Sequence, residues 1–268
     1  MSRTLVFIPM YRCERQIPRV LARIDARLAK VVDHVLVVDN RSPDGSREAA
    51  IRAMTALPVA ATLVQNDDNY NLGGSHKVAF DYALTHGFDH VMVLHGDDQA
   101  DPADFAPLLE AGRHREVDCL LGSRFAPGAK RIGYAWHRTA GNYVFNTLFS
   151  ISAMRRFSDL GSGLNCFAAS WFKDRAYRRL ADDLTFNNHL LLLMAATKAR
   201  IAFAPISWRE EDQVSNVRLF RQAWRTLGIV AGYGVRRAAY LRPHRGRRAP
   251  DAYTATVVHQ HPVPETPP

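Results

Sequence analysis

The segment VMVLHGDDQADP, residues 91–102, gathers polar side chains directly after an apolar run. Val91 to Leu94 read as a buried strand, and His95, Asp97, Asp98, Gln99 and Asp101 follow at once. Hard oxygen ligands at a strand end suit Mg²⁺ or Mn²⁺, cations that commonly bridge to phosphate oxygens. Guanidinium matches phosphate in a bidentate way, so Arg124 in LLGSRF and Arg209 in SWREEDQVSN are candidates to neutralise the same phosphates. The pattern therefore predicts a site for a divalent metal plus a diphosphate. His95 can join the coordination sphere, although a lone strand-end histidine more commonly has a structural role.

Such a site needs a frame. TLVFIP (4–9), HVLVVD (34–39), VAATLVQ (59–65), HVMVLH (90–95) and VDCLLGS (117–123) read as strands. Their continuous apolar runs suit strands buried on both faces. Ile17, Val20, Leu21, Ile24 and Leu28 recur at helical spacing after the first strand. SPDGSREAAIRAMTAL forms a second helix, a Gly-Gly turn leads into a helix over 75–86, and Pro102 opens the next. Strands alternating with helices predict an α/β fold with a mostly parallel sheet flanked by helices, as one domain. Beyond residue 125 the rhythm changes. FAPGAKRIGYAWHR reads as a loop, TAGNYVFNTLFSISAMRRF as a helix, and GLNCFAAS as a return to the sheet. FNNHLLLLMAAT is a helix, RIAFAPISW the last strand, and 217–241 a final basic and aromatic helix.

In an open parallel sheet, ligands bind outside the carboxyl ends of the strands. Pro9 and Tyr11 follow the first strand, Asp39 and Asn40 the second, the 95–101 cluster the fourth, and Arg124 the fifth. A polar turn that merely ends a strand is the plain alternative for any one of them. Several on one edge favour a site.

Composition narrows the partners. A formal charge of +9 favours anionic ones: phosphates, nucleic acid or an acidic membrane surface. No basic recognition motif appears, which argues against nucleic acid. Cys13, Cys119 and Cys166 form neither a metal pair nor a disulfide framework, in keeping with a reducing, cytoplasmic interior. The first apolar run is too short for a signal peptide, and no stretch reaches the ~18 uncharged apolar residues of a spanning helix. The final segment, 241–268, carries six of the 14 prolines and is expected to be a disordered tail behind a domain spanning 1–240.

The motifs FIPMYRCE, VLVVDNRSPDGS, NLGGSHKVAFDYA, LHGDDQADP, LLGSRF, SDLGSG and PISWREEDQVSNVRLF, in that order, resemble family 2 glycosyltransferases. Within that family the chain is most similar to the polyprenyl-phosphate sugar transferases. The resemblance implies a GT-A-type, Rossmann-like fold and a GDP- or UDP-sugar donor. It places Pro9, Tyr11, Glu14, Asp39, Asn40 and Gly74 in nucleotide-sugar binding. Asp97 and Gln99 match the metal motif, and Arg124 and Arg209 match arginines near the donor phosphates. Ser162 and Gly163 match a signature of the phosphate-acceptor subfamily. Two positions depart: Asn40 stands where the family has a second aspartate, and His95 where it has the first aspartate of the metal motif. Either His95 serves as a ligand, or Asp98 compensates, or the metal is held more weakly.

The resemblance also implies inversion at the anomeric carbon. A sugar hydroxyl acceptor would need a general base, whereas a lipid phosphate is already an anion. Asp182 and Asp183 are present, and capping the next helix is the simpler role for them. A polyprenyl phosphate acceptor is therefore favoured over a sugar hydroxyl, and both over a relative that only binds the nucleotide sugar. Lys and Arg mixed with Tyr, Trp and Phe in AKRIGYAWHR and the helix after it have the make-up of an interfacial segment. The protein is expected on the cytoplasmic face of an anionic membrane, peripheral or held by a membrane-protein partner.

Overall fold

The computed structural model describes residues 2–210 and 219–262. Ten strands and seven α-helices follow one another among these residues. They are β1 (Thr4–Met10), α1 (Ile17–Ala22), β2 (His34–Asp39), α2 (Ser46–Met54), β3 (Ala61–Asn66), α3 (Asn71–Thr85) and β4 (His90–Leu94). Then come α4 (Ala106–Glu110), β5 (Cys119–Ser123), β6 (Lys130–Ile132), α5 (Trp136–Ala153), β7 (Leu164–Ala168) and α6 (Phe186–Ala196). β8 (Ile201–Pro205), β9 (Ser207–Arg209), α7 (Leu219–Arg236) and β10 (Ala255–His261) complete the order.

Eight strands form one sheet in the order β10-β3-β2-β1-β4-β7-β5-β8. Only β7 and β10 run against the others. The sheet is thus mostly parallel, as the apolar runs predict. Leu5 and Phe7 of β1 enter one core with α3, α5, α6 and α7. Val6, Ile8 and Met10 enter the other with α1, α2 and α4. That alternation is the period of two that a strand imposes, and a core on each face explains why β1 is apolar from Leu5 onward. The carboxyl ends of β1, β2, β3, β4, β5 and β8 consequently open on one edge, which β7 enters from the other direction.

Three expectations are corrected. First, 241–268 is not a disordered tail throughout. β10 pairs antiparallel with β3 along its length, with a register shift between Val257 and His259. The prolines at 243, 250 and 262 bracket this strand rather than interrupt it, and it caps backbone groups that β3 would otherwise leave bare. Second, α3 begins at Asn71, so Gly73 and Gly74 lie in its first turn. Gly73 N–H donates to the Asp182 carbonyl at 2.6 Å. A side chain at Gly73 would strike Ala181 and Phe186, and one at Gly74 would strike Tyr70. The pair serves close packing, not a turn. Third, RIAFAPISW divides into β8 and β9, and β9 pairs parallel with β6 inside the expected loop 125–138. Pro102 does open a helical turn, a short 3₁₀ segment (Pro102–Asp104) whose N-cap Asp101 accepts from Ala103 N–H at 3.1 Å.

Candidate active site

At the ends of β2 and β3, side-chain amides and one carboxylate interlock. Asp39 is fully buried; its Oδ1 accepts from Ser42 N–H at 2.9 Å and its Oδ2 from Gln65 Nε2 at 2.8 Å. Asn40 Oδ1 accepts from Asn66 Nδ2 (3.0 Å) and Tyr70 N–H (2.7 Å), while its Nδ2 donates to Asn69 Oδ1 (2.9 Å). An ionised carboxylate has no proton to give Asn69, so this geometry requires the amide. Pro9 is half-buried beside them, and its carbonyl accepts from Gly96 N–H at 3.3 Å. Tyr11 and Glu14 are exposed; Glu14 Oε2 accepts from Gly45 N–H at 3.3 Å. Gly74 lies in the first turn of α3 against Tyr70 and Tyr253, where a Cβ would strike Tyr70.

The loop after β4 divides its side chains between two sides. Asp98 has φ of +62° and turns inward, where its carboxylate meets Arg19 Nε at 2.8 Å and Arg23 Nη2 at 2.7 Å. Two cations of α1 and its C-cap thus hold it, and compensation by Asp98 for the missing aspartate drops out. Asp97 points elsewhere, and its Oδ1 accepts from Gln99 N–H at 3.2 Å. Burial raises the Asp97 carboxyl above its ordinary value, against the opposing pull of His95. Burial likewise lowers the His95 imidazole, so the ring is held neutral. The backbone N–H of His95 donates to Gly163 O at 2.9 Å, and its Nε2 is buried with no hydrogen-bond partner among the described residues.

A desolvated carboxylate beside a neutral imidazole with an orphan nitrogen, and Gln99 next to them, fits part of a cation's shell. Among the described residues no three acidic, histidine or cysteine side chains are grouped to hold a metal alone. Ligand oxygens would have to complete such a shell.

Arg124 has a different surrounding from the one expected. It is buried, its Nε and Nη2 donate to Asp159 Oδ2 and Oδ1 at 2.8 and 2.7 Å, and its own N–H donates to Asp159 Oδ2 at 2.9 Å. Its guanidinium also lies over Trp208, 4.8 Å from the ring centroid. Burial works against the Arg124 charge, but the Asp159 carboxylate more than offsets it and holds the group above its ordinary value. Arg124 thus has its Nε–Nη2 edge, the fork expected to grip a phosphate, filled by Asp159. Through Asp159, whose Oδ1 also accepts from Gly161 N–H at 3.0 Å, it fixes the loop carrying Ser162 and Gly163. Arg209 stands half-buried at the rim: its Nη2 meets Asp101 Oδ2 at 3.2 Å and its N–H donates to Gln99 O at 2.9 Å. β9 is thereby stitched to the loop of Asp97. The remainder of the expected closing loop, 211–218, lies outside the described residues.

The two carboxylates considered as bases also separate. Asp183 accepts from Thr185 N–H (2.9 Å) and Oγ1 (2.6 Å) in the turn before α6, whose N-cap is Thr185 rather than Asp183, and meets Arg225 at 2.8 Å. Asp182 is no cap. Its Oδ1 accepts from Lys77 Nζ and Tyr253 O–H, both at 2.6 Å, and its Oδ2 from Arg247 N–H at 2.6 Å. Sequence reasoning missed Asp159 and Lys77 altogether. Both lie inside quoted motifs, Asp159 as the second residue of SDLGSG and Lys77 within NLGGSHKVAFDYA, but Lys77 lies 105 positions from its partner and nothing local points to it.

Comparison with known proteins agrees with this frame. Residues 5–181 match the model for glycosyl transferase family 2. The chain is 30% identical over 178 residues to polyprenol monophosphomannose synthase of Mycolicibacterium smegmatis, covering 66% of this chain and 62% of that protein. It is 29% identical over 167 residues to undecaprenyl-phosphate mannosyltransferase of Micrococcus luteus, covering 62% and 67% respectively. Glucosyl-3-phosphoglycerate synthase from Mycobacterium tuberculosis, crystallised with Mn²⁺, UDP-glucose and phosphoglyceric acid, superposes with a TM-score of 0.62 over 87% of this chain and 80% of that one, at 13% identity. A crystal structure of S. aureus TarS gives 0.59 over 88% and 66%, at 14% identity. The sheet order, the polar strand ends on one edge and the match over two thirds of its length agree: the chain belongs to glycosyl transferase family 2.

Proposed function

We propose that this protein transfers a sugar, with inversion, from a GDP- or UDP-sugar to a polyprenyl phosphate at a membrane surface. The observation that carries the reading is that the two relatives near 30% identity are both named for mannose and a polyprenyl phosphate carrier. Asp39 and Asn40 sit where the nucleoside would bind, with Pro9, Tyr11 and Glu14 around them. Asp97, Gln99 and His95 would hold Mg²⁺ or Mn²⁺ together with donor phosphate oxygens. Such an ion, when bound, supplies Lewis-acid stabilisation of a leaving diphosphate. Arg209 adds a cation at the rim, aimed by Asp101 and by its backbone bond to Gln99. Arg124 and Asp159 set the loop of Ser162 and Gly163 against His95. An acceptor phosphate needs no base, in keeping with the structural engagement of Asp182 and Asp183.

Two helices support the membrane site. Trp136, Tyr143, Val144 and Ile151 form an exposed stripe on α5, extended by Met154 at its C-cap, and Trp224, Leu227 and Val235 form one on α7. The helices lie side by side, with Ser152 Oγ donating to Val230 O at 2.9 Å. No helix among the described residues is long and apolar enough to cross a membrane. Apolar stripes on a chain of charge +9 suit the surface of an anionic bilayer.

The test is incubation of the protein with polyprenyl phosphate in anionic vesicles and a panel of radiolabelled GDP- and UDP-sugars. Label is expected in an organic-extractable fraction that mild acid releases, because the anomeric carbon would carry a phosphate. Label confined to an acid-stable glycosidic product would replace the lipid phosphate by a sugar hydroxyl as acceptor. Arg209→Ala is expected to lower turnover by ~10²-fold while leaving melting unchanged, as for loss of one charge-stabilising donor. Lysine there should recover only part of it. Full turnover in the alanine variant would remove Arg209 from the site.

A further inference from the structure

The segment 242–262 is tied to the nucleoside edge at three levels. β10 lies against β3, placing Ala255 opposite Asn66 and Thr256 opposite Gln65. Those two β3 residues hold Asn40 and Asp39. Just beyond β3, Asp67 Oδ2 accepts from Thr254 Oγ1 at 2.6 Å and Oδ1 from Thr256 Oγ1 at 3.1 Å, while Asp67 N–H donates to Thr254 O at 3.1 Å. Arg248 pairs with Asp68 and lies over the Tyr70 ring. Tyr70 meets Tyr253 edge-on at 5.3 Å. Every residue of the loop 67–70 is thus held either by this segment or by Asn40. At its root, Arg247 N–H and Tyr253 O–H anchor the segment to buried Asp182.

We propose that residues 242–262 form a brace that sets the shape of the nucleoside pocket, with Thr254, Thr256 and Arg248 as its positioning residues. The proposal rests on the nucleotide-sugar reading above and assigns to the C-terminal segment a share in donor affinity but none in acceptor binding. Loop 67–70, DDNY, carries two adjacent like charges, and its own side chains supply it only Asn69 N–H to Asp68 Oδ1 at 2.7 Å and Asn71 N–H to Asn69 Oδ1 at 3.1 Å. The hydroxyls and the guanidinium of the brace satisfy those carboxylates and leave Asn69 and Tyr70 free to position Asn40.

Thr254→Val with Thr256→Val, alone and combined with Arg248→Ala, tests this in the full-length protein. Binding of GDP and UDP with Mn²⁺ is measured by calorimetry, with KM for donor and acceptor, kcat and the melting midpoint. Donor-side affinity is expected to weaken roughly tenfold, the effect of losing one to two charge-assisted hydrogen bonds, with kcat and acceptor KM unmoved. Serine at 254 and 256 should restore it. Asp118→Asn, which loosens the Arg200 pair at the β5–β8 edge, serves as the control for general destabilisation. Variants that bind the diphosphates as tightly as wild type overturn the brace. So does an equal loss of affinity in Asp118→Asn. Wild type that binds neither diphosphate overturns the donor reading itself, and the brace with it.

Discussion

Replacing Asp97 by alanine is expected to abolish measurable transfer, by roughly 10³-fold or more, while the fold survives or gains stability. The two halves of that expectation have one cause. Burial raises the Asp97 carboxyl, so its ionised form is disfavoured in the folded protein unless a cation compensates it. Removing the carboxylate relieves that cost and with it the reason for a cation to bind. A thermal-shift series with GDP- or UDP-sugar and Mn²⁺ separates the effects. Wild type should be stabilised by ligand and metal together, as mass action requires, and Asp97→Ala by neither. Turnover that persists in the variant, or in wild type under excess chelator, would sink the assignment of Asp97.

The second large effect is on stability. Lys77 is fully buried, and its Nζ donates to Leu180 O at 2.7 Å, Asp182 Oδ1 at 2.6 Å and Tyr253 O–H at 3.1 Å. Burial lowers the Lys77 pKa, which the Asp182 carboxylate partly restores. Breaking such a pair from one side leaves an uncompensated buried charge and costs ~3–5 kcal/mol. Lys77→Met and Asp182→Asn should each lower the melting midpoint by on the order of 10 °C. The asparagine variant is the informative one, because it also asks whether Asp182 is a base. Its folded fraction should turn over at the wild-type rate, since the carboxylate is committed to Lys77, Tyr253 and Arg247. Melting within about a degree of wild type would show the pair to be weak. Normal melting with lost turnover would return Asp182 to the active site.

Much of the frame is legible in the chain because β1 to β5 are made locally: strands of five to seven residues built on short apolar runs, with polar residues at or just beyond their ends. The same logic reads the site edge, since each strand end advertises itself. What escapes are pairings whose partner lies far along the chain. β10 holds Thr256, Val257 and Val258, good strand residues, but its order comes from pairing with β3, nearly 200 positions earlier, and proline-rich flanks mask it. Arg124 looks like a phosphate clamp until Asp159 is placed beside it. Asp98 could have been read: Arg19 and Arg23 are four apart, one helical turn, and so share a face that an acidic partner must meet. Nothing in the sequence pairs Lys77 with Asp182.

Gly163 sets the room left for residue 95. A Cβ on Gly163 would sit 2.9 Å from His95 Cγ and 3.2 Å from its Nδ1, closer than side-chain carbons approach. The His95 Cβ lies 3.0 Å from the same point, so a side chain at 163 would crowd an aspartate at 95 as it crowds the imidazole. Residue 163 is therefore held to glycine whichever of the two stands at 95, and the identity of residue 95 can change without reference to it.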